Sequence, residues 1–243
     1  MINQFSRLEL MLGTDAIKKL NNSKVAVFGI GGVGGYTVEA LARSGIGSLV
    51  LVDNDEISQT NLNRQIIALH STLGQSKVDV AKARILDINP ECRVEKHEIF
   101  FCEETVQSLD FSSFDYVVDA IDSVKSKLLL AKVCTEKNIP LISSMGTGNK
   151  LNPAMLEISD ISKTSYDPLA KVMRRELKKL GINHLTVVYS KEQPVKISEE
   201  NVNALIEEEG VSKRTVPASN AFVPPTAGLL IASKVIKDIA QKG

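Results

Sequence analysis

Apolar positions along the chain fall into compact blocks separated by stretches of helical periodicity. "KVAVFGI" (24–30), "SLVLVDND" (48–55), "FDYVVDAID" (114–122) and "PLISSMGTG" (140–148) have strand length and are rich in β-branched residues. Each is apolar on consecutive positions rather than alternate ones, as expected of strands covered on both faces in a parallel sheet. Between them, "YTVEALARSGIG", "SKVDVAKARILDINP" and "SVKSKLLLAKVCTEKN" repeat their apolar residues at helical spacing. Gly45 and Gly47 stop the first of these helices, and Pro90 follows the second. "CRVEKHEIF" supplies a further strand. The alternation predicts an α/β fold: a doubly wound, Rossmann-like, mainly parallel sheet with helices on both faces.

The ends of the chain have a different texture. Residues 5–22 predict an N-terminal helical arm, with Leu8, Leu12, Ile17 and Leu20 at roughly helical spacing. Beyond residue 150 come a strand-like "MLEISDI", an amphipathic helix over 168–180, "LTVVYS", a polar Glu-rich connection and a turn at "FVPPTAG". The last helix, "TAGLLIASKVIKDIA", is expected to bury Leu230, Val235, Ile236 and Ile239. We read 1–243 as a single unit: an arm (1–22), a nucleotide-binding core (23–150) and a C-terminal α+β elaboration (151–243).

Composition narrows the function. The 243 residues carry 29 basic and 29 acidic side chains, so any binding to nucleic acid must use a local patch. Tryptophan is absent. Cys92, Cys102 and Cys134 form no CxxC pair, so zinc is not expected, and all three read as small core residues in a cytoplasmic protein. The N-terminus lacks a signal-peptide layout, and charges interrupt every apolar run before membrane-spanning length.

The chemistry starts at Gly29, Gly31 and Gly34, which fit G-x-G-x-x-G between a strand and a helix, with Gly32 beside them. Such a loop presents backbone N–H groups and a helix N-terminus to phosphate. Asp53, ending the next strand, suits ribose hydroxyls. NAD, FAD, an S-adenosyl donor and ATP all satisfy these residues. The loop that follows favours ATP: "DNDEISQTNLNRQ" places Asp55, Asn61, Asn63, Arg64 and Gln65 at the sheet's C-terminal edge, and "GQSK" adds Lys77. A triphosphate about to lose pyrophosphate needs cations aimed at its developing charge. Asp122, at the end of "YVVDAID", is placed for Mg²⁺ or to cap the next helix, and Asp119 to cap or orient the turn. His70, His97 and His184 are scattered, without an obvious partner.

Taken together, "GIGGVGG", "DNDEISQTNLNRQ", "GQSKVDVAKARILDINP" and "DAIDS" resemble the adenylating enzymes related to ubiquitin activators, among them the MoeB- and ThiF-type activators of sulfur carriers. Within that superfamily, "FSRLELMLG", "INPECRVE", "KTSYDPLAK" and "VPPTAGLLIAS" look most like the tRNA threonylcarbamoyladenosine dehydratases. The resemblance implies ATP-dependent cyclisation of that nucleoside through an acyl-adenylate, with ATP and Mg²⁺ and a tRNA substrate. It implies a nucleotide site made of Gly29, Gly31, Gly32, Gly34, Asp53, Asp55, Asn61, Asn63, Arg64, Gln65, Lys77 and Asp122, with Asp122 on Mg²⁺. Arg64, Lys77 and Asp122 would act on the reacting phosphates, joined by Arg7 from the arm of a second subunit, which requires a homodimer. A sulfur-transfer protein is a further partner in that superfamily. The lack of any cysteine after Cys134 speaks against a covalent thioester relay.

For tRNA, "DPLAKVMRRELKKLG" offers a face of Lys171, Arg174, Arg175 and Lys178 opposite Leu169, Val172, Met173, Leu177 and Leu180, with Lys213 and Arg214 as an extension. Three other readings compete: adenylation of a ubiquitin-like carrier's C-terminus, an NAD-dependent oxidoreductase, and a non-catalytic nucleotide-binding scaffold.

Overall fold

The computed structural model describes residues 2–198, 200 and 217–241. Lys213 and Arg214 lie outside the described residues, as does most of the Glu-rich connection. In chain order the elements are α1 (Ser6–Leu12), α2 (Thr14–Asn22), β1 (Lys24–Phe28), α3 (Gly34–Arg43), β2 (Ser48–Val52), α4 (Lys77–Ile88) and β3 (Arg93–His97). There follow β4 (Tyr116–Asp119), α5 (Val124–Glu136), β5 (Leu141–Ser144), β6 (Leu156–Asp160), α6 (Pro168–Lys179), β7 (Thr186–Ser190) and α7 (Val223–Gln241).

The strands form one sheet in the order β3-β2-β1-β4-β5-β7-β6. Every neighbouring pair is parallel except β6 with β7. The strands of the C-terminal elaboration thus extend the sheet begun by the nucleotide-binding half. Consecutive residues of β1 and β2 point to opposite faces and both faces are filled. Val25, Val27, Leu49 and Leu51 pack with α3, α4 and α7. Ala26, Phe28, Val50 and Val52 pack with α5 and with Phe101, Phe111 and Phe114. Each such buried side chain contributes roughly 1.5–3 kcal/mol, which explains why these strands read as unbroken apolar runs.

Two expectations about the ends are corrected. The arm is a helical hairpin rather than one helix, because Gly13 sits at φ +84° between α1 and α2. Only α2 contributes fully buried residues, Ala16, Ile17 and Leu20. The "FVPPTAG" turn is instead the first turn of α7. Pro224 and Pro225 occupy early helical positions, where a missing N–H breaks no intrahelical bond, and Thr226 N–H resumes the ladder onto the Phe222 carbonyl at 3.2 Å. Along α7, Ile231, Val235 and Ile239 are buried, while Leu230 and Ile236 pack at the margin.

Candidate nucleotide-binding site

Strand order reverses between β1 and β4, so the crevice of an open α/β sheet falls outside their C-terminal ends. The glycine loop fills that position, and its glycines divide into two kinds. Gly29 lies at φ +86°, and a Cβ there would stand 2.6 Å from the Ala120 carbonyl oxygen at the end of β4. A Cβ on Gly34 would fall 1.8 Å from the Gly29 carbonyl oxygen. These two let the loop close tightly. At Gly31, by contrast, a Cβ would meet only Gln65 Nε2, at 3.8 Å, and at Gly32 it would meet Pro224 Cβ (3.2 Å) and Arg64 Cγ (3.4 Å). Gly31 and Gly32 form the cradle, with Arg64, Gln65 and Pro224 as its walls.

Asp53, expected to take ribose hydroxyls, also binds the glycine loop. Its Oδ2 accepts the Ile30 N–H at 2.5 Å and its Oδ1 the Asp55 N–H at 2.9 Å. Burial raises its carboxyl above the ordinary value; the nearby Lys77 ammonium and the two backbone donors oppose that rise. The lone pairs left on the carboxylate suit ribose hydroxyls.

Residues 53–77 fold back along the crevice edge. Lys77 N–H donates to the Asp55 carbonyl at 3.0 Å, and Lys77 Nζ to Asp55 Oδ2 at 2.7 Å. Asn61 is buried, and its Oδ1 accepts the Ser58 N–H at 3.2 Å, so its side chain shapes the turn. Asn63 Nδ2 donates to the Ser219 carbonyl at 3.0 Å, tying this loop to the segment before α7. Arg64 Nη1 donates to Thr60 O (2.7 Å) and Asn63 Oδ1 (2.9 Å), which holds its stem against Gly32. Gln65 is 7 % exposed, and its buried Oε1 has no hydrogen-bond partner. A buried acceptor without a donor is costly, and this one stands beside the cradle.

On the other side of the crevice Asp119 has a larger role than orienting a turn. It accepts the Ile121 N–H at 3.1 Å, the Ser143 hydroxyl at 2.5 Å and the Lys127 ammonium at 3.0 Å, all in the interior. Ser123 caps α5, so Asp122 is exposed on the turn just ahead of the cap. Among the described residues no three His, Cys, Asp or Glu side chains gather as a metal cluster. Mg²⁺ needs only one or two carboxylates when phosphate oxygens and water complete its shell, and Asp122 fits that requirement. The cradle, with Gln65 Nε2 beside Gly31, the Arg64 and Lys77 cations and Asp53 fit ATP.

Arg7 is not brought to this site within its own subunit. Its neighbour Phe5 lies against Gly45, at the far end of α3 from the glycine loop, and Arg7 itself is exposed. The basic helix is also redrawn. Lys171, Arg175 and Lys178 are exposed, but Arg174 folds toward Thr164 and donates to its carbonyl at 2.9 Å. Arg174 lies next to the buried stripe of Ala170, Met173 and Leu177 on the helical wheel, and therefore reaches protein before solvent. Leu180 is 48 % exposed rather than buried, since the helix ends before it.

His97 and His184 have partners after all, Glu95 at 2.7 Å and Asp160 at 3.3 Å. Cys92 and Cys134 are core residues, whereas Cys102 is only partly buried. Sequence reasoning missed the roof over the cradle. A Cβ on Gly228 would stand 2.3 Å from the Val33 carbonyl oxygen, so α7 lies directly on α3 and brings Pro224 over Gly32. The small residues of "PPTAG" were the available signal.

The model of the ThiF family matches residues 3–243. The chain belongs to the ThiF family. Within it, the tRNA threonylcarbamoyladenosine dehydratase of Bacillus subtilis is 48 % identical over 99 % of this chain and 96 % of the relative. The E. coli tRNA N6-threonylcarbamoyladenosine dehydratase in complex with AMP superposes with a TM-score of 0.88, at 33 % identity, over 98 % of this chain and 94 % of the other. Its ATP complex gives 0.84 over 99 % and 96 %. The seven-stranded, mostly parallel ThiF fold is therefore the one expected from the apolar blocks. No helix among the described residues is long and apolar enough to cross a membrane.

Proposed function

We propose that this chain is an ATP-dependent tRNA threonylcarbamoyladenosine dehydratase acting in the cytoplasm. The observation that carries the reading is the open cradle at Gly31 and Gly32, walled by Arg64 and Gln65, in a fold matching an enzyme seen with both AMP and ATP. In the reaction, a carboxylate oxygen of the nucleoside's threonyl group bonds to the α-phosphorus of ATP and pyrophosphate leaves. A nucleophile in the same modification then attacks the activated carbonyl carbon, loses its proton and expels AMP. The nucleoside loses one water in total. Activation is needed because a carboxylate oxygen is a poor leaving group and AMP a good one.

Each residue serves this by position and charge. The N–H groups of the loop at Gly31 and Gly32 line the phosphates, and Asp53 receives the ribose. Arg64 and Lys77 neutralise charge on the departing pyrophosphate. Asp122 holds Mg²⁺, which screens phosphate charge when bound. Arg7 of a second subunit completes the phosphate contacts, making the homodimer the active form. Lys171, Arg175 and Lys178 meet tRNA phosphates, and a sulfur-transfer protein is an additional partner.

Pyrophosphate exchange into ATP separates this reading from carrier-protein adenylation. Exchange stimulated by tRNA bearing the modification is expected. Exchange that responds only to a ubiquitin-like carrier protein would overturn the proposal.

A further inference from the structure

Tyr166 sits just ahead of α6 in an uncommon conformation. Its φ is +56°, and the Asp167 N–H donates to the Ser165 carbonyl at 2.7 Å across it, closing a three-residue turn of the rarer hand. A residue with a Cβ is strained in such a backbone, which glycine or asparagine adopts more readily. The aromatic ring gains no packing in return, being 64 % exposed. The turn is nevertheless firmly held. Asp167 is buried, caps α6 by accepting the Ala170 N–H at 2.9 Å, and pairs with the buried Lys150 ammonium at 2.6 Å.

The helix that follows carries exposed cations. An apolar residue immediately before a helix cap usually packs on the fourth residue of the helix. Here that fourth residue is Lys171, which is exposed. Lys178 lies two turns further along the same face, and neither lysine forms an ion pair among the described residues. The turn also faces the right edge of the sheet. The Asp167 carboxylate lies 3.4 Å from where a Cβ of Gly146 would be, two residues past β5. β5 neighbours β4, whose end forms the crevice, and adjacent strands are only about 4.8 Å apart.

An exposed aromatic ring on a held backbone turn, ahead of a helix face bearing exposed lysines, matches the chemistry of an unpaired RNA base with its phosphates. We propose that Tyr166 is a stacking platform for an unpaired base of the tRNA substrate, with Lys171 and Lys178 on the adjoining phosphates. The inference rests on the tRNA reading above and adds the contact that would position the nucleoside.

The test compares tRNA affinity for the wild-type protein, Tyr166→Gly and Tyr166→Phe, with ATP affinity and thermal melting measured alongside. Tyr166→Gly relieves the backbone strain, so it is expected to melt at or above the wild-type temperature. It should bind tRNA at least about fivefold more weakly, the range for losing one base–aromatic stack, with ATP affinity unchanged. Tyr166→Phe should bind tRNA as the wild type does. Equal tRNA affinity in Tyr166→Gly would overturn the platform, as would a lowered melting temperature, which signals a structural role. Loss of affinity in Tyr166→Phe would also overturn it by pointing to the hydroxyl. Dehydration by the wild-type protein is a separate readout: its absence with tRNA binding intact would overturn the proposed function, while the affinity ratio still decides the platform.

Discussion

Lys127 and Lys77 stand in the first turns of consecutive helices on opposite sides of the crevice, and both side chains are nearly inaccessible. Their hydrogen bonding differs. Lys127 Nζ meets Asp119 at 3.0 Å, Ser143 Oγ at 3.2 Å and the Ser144 carbonyl at 2.7 Å, using all three of its donors on buried oxygens. Among the described residues Lys77 Nζ donates to Asp55 alone, and the Asp55 side chain is 59 % exposed. One ammonium is saturated by the protein, and the other keeps donors to spare beside the cradle. Burial alone does not distinguish a structural lysine from a ligand-binding one; the count of satisfied donors does.

Breaking the saturated lysine should have the largest effect. Lys127→Met leaves Asp119 buried without its cation, and losing one member of a buried pair costs about 3–5 kcal/mol. Denaturant unfolding should show that loss, and a midpoint close to wild type would remove the distinction. Lys77→Met should instead keep stability within about 1 kcal/mol, since Asp55 can turn to water. Its rate of ATP-dependent dehydration should fall about 10²- to 10³-fold, the usual cost of removing one donor from a developing oxyanion. A stability loss as large as that of Lys127→Met would make both lysines structural.

The smallest effect concerns the thiols. Burial pushes Cys92 up to about 11 and Cys134 up to about 12, from an ordinary value of 9.0. Because the folded-state values are raised, the stability these thiols contribute is complete below pH 9.0 and declines as the pH climbs through 11 to 12. Thiol-reagent titration of the native protein at pH 8 should therefore modify Cys102 alone, and reaction at Cys92 or Cys134 would contradict the assigned core.

The contrast between the lysines also marks what could be read from the sequence. The order of strands and helices up to residue 150 was legible because β1, β2, β4 and β5 are largely buried, which favours apolar runs, whereas β3 is an exposed edge strand. That the glycine loop, Asp53 and the Arg64 loop come together was legible because each follows the C-terminal end of β1 or β2. Lys127 was not, since a lysine at helical spacing among polar neighbours looks solvated until β5 brings Ser143 beside it. The Lys150–Asp167 pair was hidden for the same reason, its partners lying on different elements. Pro224 and Pro225 were read as a turn, since prolines disfavour helix interiors, although the first turn tolerates them. Arg174 joined the exposed face on paper because a helical wheel carries no information about Thr164.

The central claim is that this chain spends ATP to remove water from a tRNA-borne nucleoside. Purified protein incubated with ATP, Mg²⁺ and tRNA bearing threonylcarbamoyladenosine, followed by mass spectrometry of the nucleosides, tests it directly. The expected product is that nucleoside lighter by one water, formed only when ATP is present. An unchanged nucleoside, in a preparation that still exchanges pyrophosphate into ATP, would contradict the claim and leave only an adenylating enzyme with another substrate.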